Sequence, residues 1–550
     1  MTKRILCLLG IAGTAVIAVT TVGGAGLSPD SMKYISITRN VLDGYGLYVI
    51  RPGREVPLAH WPPGLPAVMA LMGWTGIDPL EAGRILNAAM FGINIFLAGL
   101  IVFKITRSRW VSILAGGIML TSLNMIRVHG MIWSEPLFTC LMLGAILCLA
   151  HYTDTKKSRW LAATVVLAAG AVMVRYHGIG LAAGLAASIA WAGVRGRRVR
   201  DAAVLMVVVG LVLGGWLVRT HLVATSLADR SIGWHPPTMM HLRGLLDTLC
   251  GWWIPETWRP YGSTGLVVLI MGLLAGVAAA DKDIRRNGLV RIVSVQALCF
   301  MASLVAALTW FDAAIPMNER TLAPMFPLVL IVVSCGIGTT AGVLKGVRRA
   351  GTGAESRAGH ARSRWLSMTG DGIIRDLVKL ARGAGGPAFG LLIVAFLFLT
   401  ALEDASWIRE SYGRGRAHYR LYARLGTGYK WMRYGLVDHL KRLPAGTVII
   451  SNAPGAVYVM TGRKAVTAPR MLEYDCRTEN PNYQSELSQA KTLIEKGAVL
   501  AYFTAEESLR FYPQKQELSS RLRAALLAEY DDGAVYGSPH RQEGSTAILE

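Results

Sequence analysis

Long apolar runs constrain this chain more than any other feature of its sequence. There are about eleven of them, each near the 17–25 residues that an α-helix needs to cross a bilayer. Hydrophobic residues make up 53% of the 550 residues and charged residues only 17%, below the roughly 25% of soluble domains. We therefore predict a polytopic α-helical membrane protein. The predicted spans are Ile5–Leu27, Ala82–Phe103, Val111–Arg127, Met131–His151, Trp160–Tyr176, Gly178–Val194, Ala202–Thr220, Thr264–Ala280, Ile292–Phe311, Thr321–Leu344 and Pro387–Leu402.

Basic residues gather in alternate links between these spans. If the helix count is right, all of these links lie on one side of the membrane, and the positive-inside rule makes that side cytoplasmic. The arrangement predicts a multi-pass protein of the cytoplasmic (inner) membrane with a cytoplasmic N-terminus. It also accounts for the net charge of +22 without a nucleic-acid partner. The basic links are 104–109, 156–159, 195–200, 282–291 and 345–382.

The N-terminus has features of two different segments. Lys3-Arg4, an apolar core and the small residues Gly23–Gly26 would suit a cleavable signal peptide. The apolar run is also about 20 residues long, enough to span a bilayer. We predict an uncleaved first helix.

From Ala405 the composition becomes that of a soluble domain. Thr447–Ser451 and Val499–Phe503 are typical of buried strands, and helical patterns cover Gln484–Lys496 and Glu517–Tyr530. Strands that alternate with helices indicate a small α/β domain. We predict a membrane domain over residues 1–404, with an amphipathic first outer loop at 28–81, and an extracytoplasmic α/β domain over 405–550.

Asp30 follows the first apolar run at once and should lie near a membrane surface. Apolar positions at helical spacing from Ser31 predict a short helix that lies flat on the bilayer. A carboxylate held there could accept a proton from an acceptor hydroxyl or amine. The alternative is that Asp30 only caps this helix.

Other ionisable residues recur at the same predicted face. Glu135 opens a span beside Pro136, where an acid could cap the helix, orient a sugar or bind a cation. Arg175 and Arg320 lie at the outer ends of helices, where an arginine could snorkel or hold a phosphate by two oxygens. With His60 and His177, they favour an anionic headgroup as ligand.

No motif for a soluble cofactor is present in the chain. Walker A, HExxH, GxSxG and haem signatures are all absent from the sequence. We predict no cofactor and no metal site among the candidate residues, and leave a divalent-cation requirement open.

Several short motifs, in order, resemble those of the polyprenyl-phosphate-dependent GT-C glycosyltransferases. They are the acid after the first helix, His60-Trp-Pro-Pro-Gly64, Ser134-Glu-Pro-Leu-Phe138, Val174-Arg-Tyr-His-Gly178 and Glu319-Arg-Thr-Leu-Ala-Pro-Met-Phe-Pro327. The resemblance covers roughly Met1–Leu402 and is nearest to protein O-mannosyltransferases and the lipid A aminoarabinose transferase. The chain has Asp30-Ser31 where the family often has Asp-Glu.

The resemblance implies transfer of a hexose or pentose from a polyprenyl-phosphate donor to a protein, lipid or envelope glycan at the outer face, with inversion at the anomeric carbon. Membrane lipid is a further partner. Asp30 would be the general base. The predicted substrate-binding residues are Tyr34, His60, Glu135, Arg175, His177, Glu319 and Arg320. Two other classes stay open: a secondary transporter or flippase for a lipid-linked or small anionic substrate, and a non-catalytic scaffold.

Overall fold

The structure is a computed structural model. It describes residues 1–51, 54–192, 194–224, 233–253, 272, 286–311, 315–351, 405–414, 418–422, 429–433, 435–472, 479–504 and 511–539. In the first part of the chain the described helices are α1 Thr2–Thr20, α2 Pro29–Leu42, α3 Gly64–Gly73, α4 Pro79–Thr106, α5 Arg109–Leu120, α6 Leu123–His129, α7 Glu135–Thr155, α8 Ser158–Val174, α9 Gly178–Ala192, α10 Arg198–Ala224, α11 Met239–Gly251, α12 Gly288–Trp310 and α13 Met325–Gly351.

These helices form a multi-pass membrane bundle, as predicted. Within the described ranges five helices are long and apolar enough to cross a membrane, namely α1, α4, α7, α10 and α12, and the pair α5 and α6 makes six if it is one span. Shorter apolar helices include α3, α8, α9 and the segment Met325–Gly338 of α13. Two predicted spans, Thr264–Ala280 and Pro387–Leu402, lie outside the described residues except for Gly272. The count of eleven therefore stays a prediction.

The span predicted as one piece over Val111–Arg127 is two helices, α5 and α6, bent by 60°. The backbone leaves the helical region at Ser122, where ψ is 104°, and the Thr121 hydroxyl donates to the Gly117 carbonyl at 3.1 Å. After the bend, Gly26 donates to the Gly130 carbonyl at 2.8 Å and accepts from the Ile132 amide at 3.1 Å. The segment that follows the bend and precedes α7 is therefore hydrogen-bonded to the segment that follows α1.

The first loop contains the amphipathic helix that the sequence predicts. Ser28 is its N-cap and accepts from the Ser31 amide at 3.2 Å. Asp30 is therefore not the cap, and its side chain is available for another partner. The apolar residues Met32, Ile35 and Ile37 of α2 are buried. A hairpin of β1 Tyr48–Arg51 and β2 Arg54–Pro57 and then α3 complete the loop.

The C-terminal region contains the predicted α/β fold. Its described elements are β3 His418–Tyr422, β4 Tyr429–Arg433, α14 Gly435–Arg442, β5 Ile449–Ser451, α15 Pro454–Thr461, β6 Val466–Thr467, α16 Tyr483–Glu495, β7 Val499–Phe503, α17 Lys515–Leu522, β8 Ala525–Tyr530 and β9 Gly533–Gly537. Five strands form a mixed sheet in the order β6-β5-β7-β9-β8. The first three are parallel, and β9 is antiparallel to both β7 and β8. The exact boundary at 404/405 stays a prediction.

One predicted helix in this domain is wrong in its second half. The prediction covers Glu517–Tyr530, but α17 ends at Leu522 and β8 follows. Arg523 has a φ of +55°, which ends the helix because a left-handed residue cannot continue it. Pairing with β9 then makes the next segment a strand.

The C-terminal domain packs on the first-loop helix α2. A Cβ added at Gly455 would lie 3.5 Å from the Met32 Cβ, and the Arg39 guanidinium donates to the Tyr458 carbonyl at 3.0 Å. Asn452 precedes this contact and forms two bonds of 2.8 Å with the Phe503 backbone. The segment that begins at Asn452 is thus tied to strand β7.

Candidate functional site

Four residues from four separate links of the chain meet at one end of the bundle. The Arg320 Nη2 atom donates to Asp30 Oδ2 at 2.6 Å, and its Nε donates to Glu135 Oε1 at 2.8 Å. Arg175 Nη1 lies 2.5 Å from the same Glu135 oxygen. We call Asp30, Glu135, Arg175 and Arg320 the ion cluster. Asp30 and Glu135 lie in the first turns of α2 and α7, Arg175 follows α8, and Arg320 lies five residues before α13 begins. The ends of the bundle therefore position all four charges.

The backbone pairing near Gly26 explains how two acids so far apart in sequence share one arginine. It aligns the segment after α1 with the segment before α7. Trp133 then donates from its indole nitrogen to the Ser28 hydroxyl at 2.8 Å. Asp30 lies two residues after Ser28 and Glu135 two residues after Trp133, so the pairing brings both carboxylates to the same place.

The Arg320 side chain is oriented by Trp133 as well as by the carboxylates. The guanidinium carbon lies 4.6 Å from the centre of the fully buried Trp133 ring, a cation–π distance. The Arg320 amide donates to the Asn318 side-chain oxygen at 3.2 Å. These contacts fix both the guanidinium group and the backbone amide of Arg320.

The ion cluster is mostly excluded from solvent. The side chain of Glu135 is 0% exposed, while those of Arg175, Arg320 and Asp30 are 17%, 18% and 25% exposed. Charges with so little water need partners, and the two carboxylates balance the two guanidinium groups. The second oxygen of Glu135, Oε2, is buried without a hydrogen bond within the described part of the chain. A ligand hydroxyl or ammonium could donate to it.

The cluster also sets the protonation of Asp30. Burial alone would raise the pKa of Asp30, but Arg320, Lys33 and His60 outweigh burial and lower the pKa to about 2. Asp30 is therefore ionised at every physiological pH. Burial raises the pKa of Tyr34 to about 12, and the Asp30 charge adds to this effect. Tyr34 is thus a neutral phenol, 3.5 Å from the Ser134 hydroxyl.

Lys33 and the end of the first loop lie beside the cluster. The Lys33 Nζ atom lies 4.2 Å from the centre of the Trp61 ring, and the His60 and Trp61 rings are 4.3 Å apart. Arg219 donates to the Leu58 carbonyl at 2.5 Å, which holds the chain just before His60 against helix α10. The sequence prediction did not include Lys33. Its spacing of three residues from Asp30 on a predicted helix was the available signal.

The structure brings most of the predicted site residues together, although their roles stay predictions. Asp30, Tyr34, Glu135, Arg175 and Arg320 lie in or beside the cluster, and His60 acts electrostatically on Asp30.

The remaining two predicted residues have a weaker connection to the cluster. The ring of His177 packs 6.1 Å from that of Phe300. No ion pair joins Glu319 to another residue of the described ranges. Those ranges also contain no group of three or more His, Cys, Asp and Glu residues that could hold a metal.

No protein-family model matches the chain, and no curated protein matches it in sequence. Solved structures do match it. ArnT from Cupriavidus metallidurans bound to undecaprenyl phosphate superposes with a TM-score of 0.58 at 10% identity, covering 96% of this chain and 97% of that one. The apo form gives a TM-score of 0.59 at 11% identity, with the same coverage. The archaeal oligosaccharyltransferase AglB from Archaeoglobus fulgidus gives 0.48 at 10% identity, covering 91% and 69%. At these identities the likeness is one of fold, and the two ArnT structures establish it over nearly the whole chain.

Proposed function

We propose that this chain, which has the GT-C fold, is a membrane glycosyltransferase. It transfers a sugar from a polyprenyl-phosphate donor to a protein, lipid or glycan acceptor at the outer face of the cytoplasmic membrane. The observation that carries the proposal is the contact between Asp30 and Arg320 at 2.6 Å. It supplies an ionised carboxylate and a fixed guanidinium at one end of a bundle whose fold matches a protein solved with undecaprenyl phosphate.

Asp30 is the proposed general base. As the acceptor oxygen or nitrogen attacks the anomeric carbon, its proton passes to the Asp30 carboxylate. The bond from the anomeric carbon to the phosphate oxygen breaks at the same time, and polyprenyl phosphate leaves with the bonding electrons. A single displacement of this kind inverts the anomeric carbon.

The low pKa of Asp30 has a consequence for this step. A carboxylate with a pKa of about 2 is always ionised but is a weak base, since a general base works best with a pKa near the operating pH. A donor phosphate bound beside Asp30 adds negative charge and so raises its pKa. Donor binding would therefore make Asp30 a stronger base at the moment it is needed.

Glu135 and the arginines have a positioning role in this proposal. Glu135 holds Arg175 and Arg320 together at 2.5 and 2.8 Å. Both guanidinium groups can still donate further hydrogen bonds, because each has five N–H donors. We assign these donors to the phosphate or sugar oxygens, and the unpartnered Glu135 Oε2 to a donor-sugar hydroxyl.

The test compares Asp30→Asn with wild type for loss of labelled sugar from a polyprenyl-phosphate donor in the presence of membranes. Asp43→Asn is the matched control, because Asp43 is an exposed residue at the C-cap of the same helix. We expect transfer to fall by about 10²–10⁴-fold in Asp30→Asn, the usual contribution of a general base, and to persist in Asp43→Asn. Full activity of a folded Asp30→Asn protein would contradict the assignment.

A further inference from the structure

Arg39 joins three separate parts of the chain at the end of helix α2 that is far from Asp30. It lies in the last turn of α2, and its Nη1 atom donates to the Tyr458 carbonyl of helix α15 at 3.0 Å. The guanidinium carbon lies 5.5 Å from the centre of the Tyr458 ring. The Nη2 atom lies 3.7 Å from Oδ2 of Asp78, the N-cap of helix α4. One side chain thus connects the first loop, the membrane bundle and the C-terminal domain.

The C-terminal domain packs on the side of α2 that lies opposite Asp30. A helix turns by about 100° per residue, so Arg39, nine positions after Asp30, projects from the opposite side. Met32 is seven positions before Arg39 and therefore lies on the same side as Arg39. A Cβ added at Gly455 of α15 would lie 3.5 Å from the Met32 Cβ. Helix α2 therefore lies between α15 and the ion cluster.

Helix α2 is short and continuous, so a tilt of the helix would move Asp30. The helix is 14 residues long, about 20 Å at 1.5 Å per residue. Asp30 lies in its first turn and accepts from Arg320 at 2.6 Å. A displacement of about 1 Å would take this contact beyond the range of about 2.7–3.2 Å that is usual for hydrogen bonds from nitrogen to oxygen. The position of Asp30 therefore depends on what holds the other side of α2.

We propose that Arg39 is a positioning residue through which the C-terminal domain holds α2, and with it Asp30, in the place that sugar transfer requires. This inference rests on the proposed function and makes the docked C-terminal domain a part of the active arrangement. Arg39 acts through α2 and does not touch the reacting atoms. The alternative is that Arg39 only ties α2 to α4 through Asp78, and that the C-terminal domain has no part in positioning Asp30.

Two single variants separate the two partners of Arg39. Arg39→Gln shortens the side chain and removes its charge, so both contacts are weakened. Asp78→Asn removes only the carboxylate, because Asn is also a good N-cap and can replace the oxygen that accepts from the Leu80 amide at 2.8 Å. The kcat for donor consumption is measured for each full-length variant. It is divided by the amount of polyprenyl phosphate bound, so that only folded protein is counted.

The two variants should differ in their effect on transfer. We expect kcat to fall about 10- to 100-fold in Arg39→Gln, since misplacing a catalytic group by about 1 Å can cost about 100-fold. We expect a fall of less than about 3-fold in Asp78→Asn, because exposed ion pairs contribute little and the Asp78 side chain is 54% exposed.

A reversible disulfide tests whether docking of the C-terminal domain restores the site. The 3.5 Å separation of the Met32 and Gly455 positions falls within the range of about 3.5–4.5 Å between the Cβ atoms of a disulfide. The Met32→Cys/Gly455→Cys double variant should therefore cross-link under oxidation and separate in dithiothreitol. Wild type receives the same treatments, as the control for its seven native cysteines.

The disulfide should replace the docking contact of Arg39. We expect the oxidised double variant to keep the kcat of its reduced form. In a triple variant that also carries Arg39→Gln, we expect low kcat in dithiothreitol and recovery of most of the kcat on oxidation. Recovery in the same sample distinguishes positioning from a loss of folded protein.

Several results would overturn the inference. A double variant that does not cross-link would show that the C-terminal domain is not docked on α2 in this way. Wild-type kcat in Arg39→Gln, or an equal fall in Asp78→Asn, would show that the contact with the C-terminal domain is not needed. A triple variant that stays inactive after oxidation, or a double variant that oxidation inactivates, would show that the docked arrangement is not the active one. Wild-type protein that consumes no donor would instead contradict the proposed function, so the two failures are distinct.

Discussion

Replacing Glu135 with Gln tests whether the ion cluster is a buried, mutually dependent network. Glu135 Oε1 accepts from both Arg175 and Arg320, and its side chain is 0% exposed. Gln keeps the shape and one acceptor oxygen but removes the charge. The two guanidinium groups would then share only Asp30 as a counter-ion.

The expected cost follows from this geometry. Removing one partner of a buried ion pair costs about 3–5 kcal/mol, but the arginines here are 17–18% exposed and Gln still accepts a hydrogen bond. We therefore expect the free energy of unfolding to fall by about 2–4 kcal/mol.

Glu81→Gln is the matched control. Glu81 also lies in the first turn of a helix and pairs with an arginine, Arg84, at 2.7 Å, but these side chains are 43% and 24% exposed. Exposed pairs contribute about 0–1 kcal/mol, and the loss of helix-dipole energy, about 0.3–1 kcal/mol, is common to both variants. Equilibrium unfolding in mixed micelles measures the free energy of unfolding of both variants. A difference between them of less than about 1 kcal/mol would refute the buried network.

Two further predictions concern pH and packing. The pKa of Asp30 is lowered from 3.8 to about 2 on folding, which contributes roughly 2 kcal/mol to the free energy of unfolding. This contribution is present above about pH 4 and is lost as the pH falls towards 2. The difference in unfolding free energy between wild type and Asp30→Asn should therefore narrow over that interval, and a constant difference would contradict the ion pair. Gly64→Ala should destabilise the protein, because the new Cβ would lie 2.5 Å from the Met173 carbonyl oxygen. The control Gly210→Ala in α10 has nothing within 4 Å of the new Cβ and should gain up to about 1 kcal/mol from helix propensity. Equal effects of the two substitutions on thermal unfolding would contradict the close packing of α3 on α8.

The sequence predicted elements whose pattern is local. The apolar run at Val499–Phe503 is strand β7, and the helical spacing after Ser31 is α2. The sequence did not predict elements whose secondary structure depends on contacts with the rest of the fold. Ala525–Tyr530 has residues that suit either a helix or a strand, and only its partner β9 decides for the strand.

The candidate site was predictable in its residues but not in its connections. Asp30, Glu135, Arg175 and Arg320 stood out because ionisable groups at helix ends in a membrane protein are by default candidates for function. Their pairing could not be predicted, since Asp30 and Arg320 are 290 residues apart.

The most direct test of the proposed function is consumption of the donor by purified wild-type protein. Polyprenyl phosphates carrying radiolabelled mannose, glucose or arabinose are incubated with the protein and membranes, and the label that remains on the lipid is measured. We predict that one donor loses its label to an acceptor and leaves free polyprenyl phosphate. If folded protein consumes none of the three donors, the result contradicts the account and favours a transporter or scaffold with the same fold.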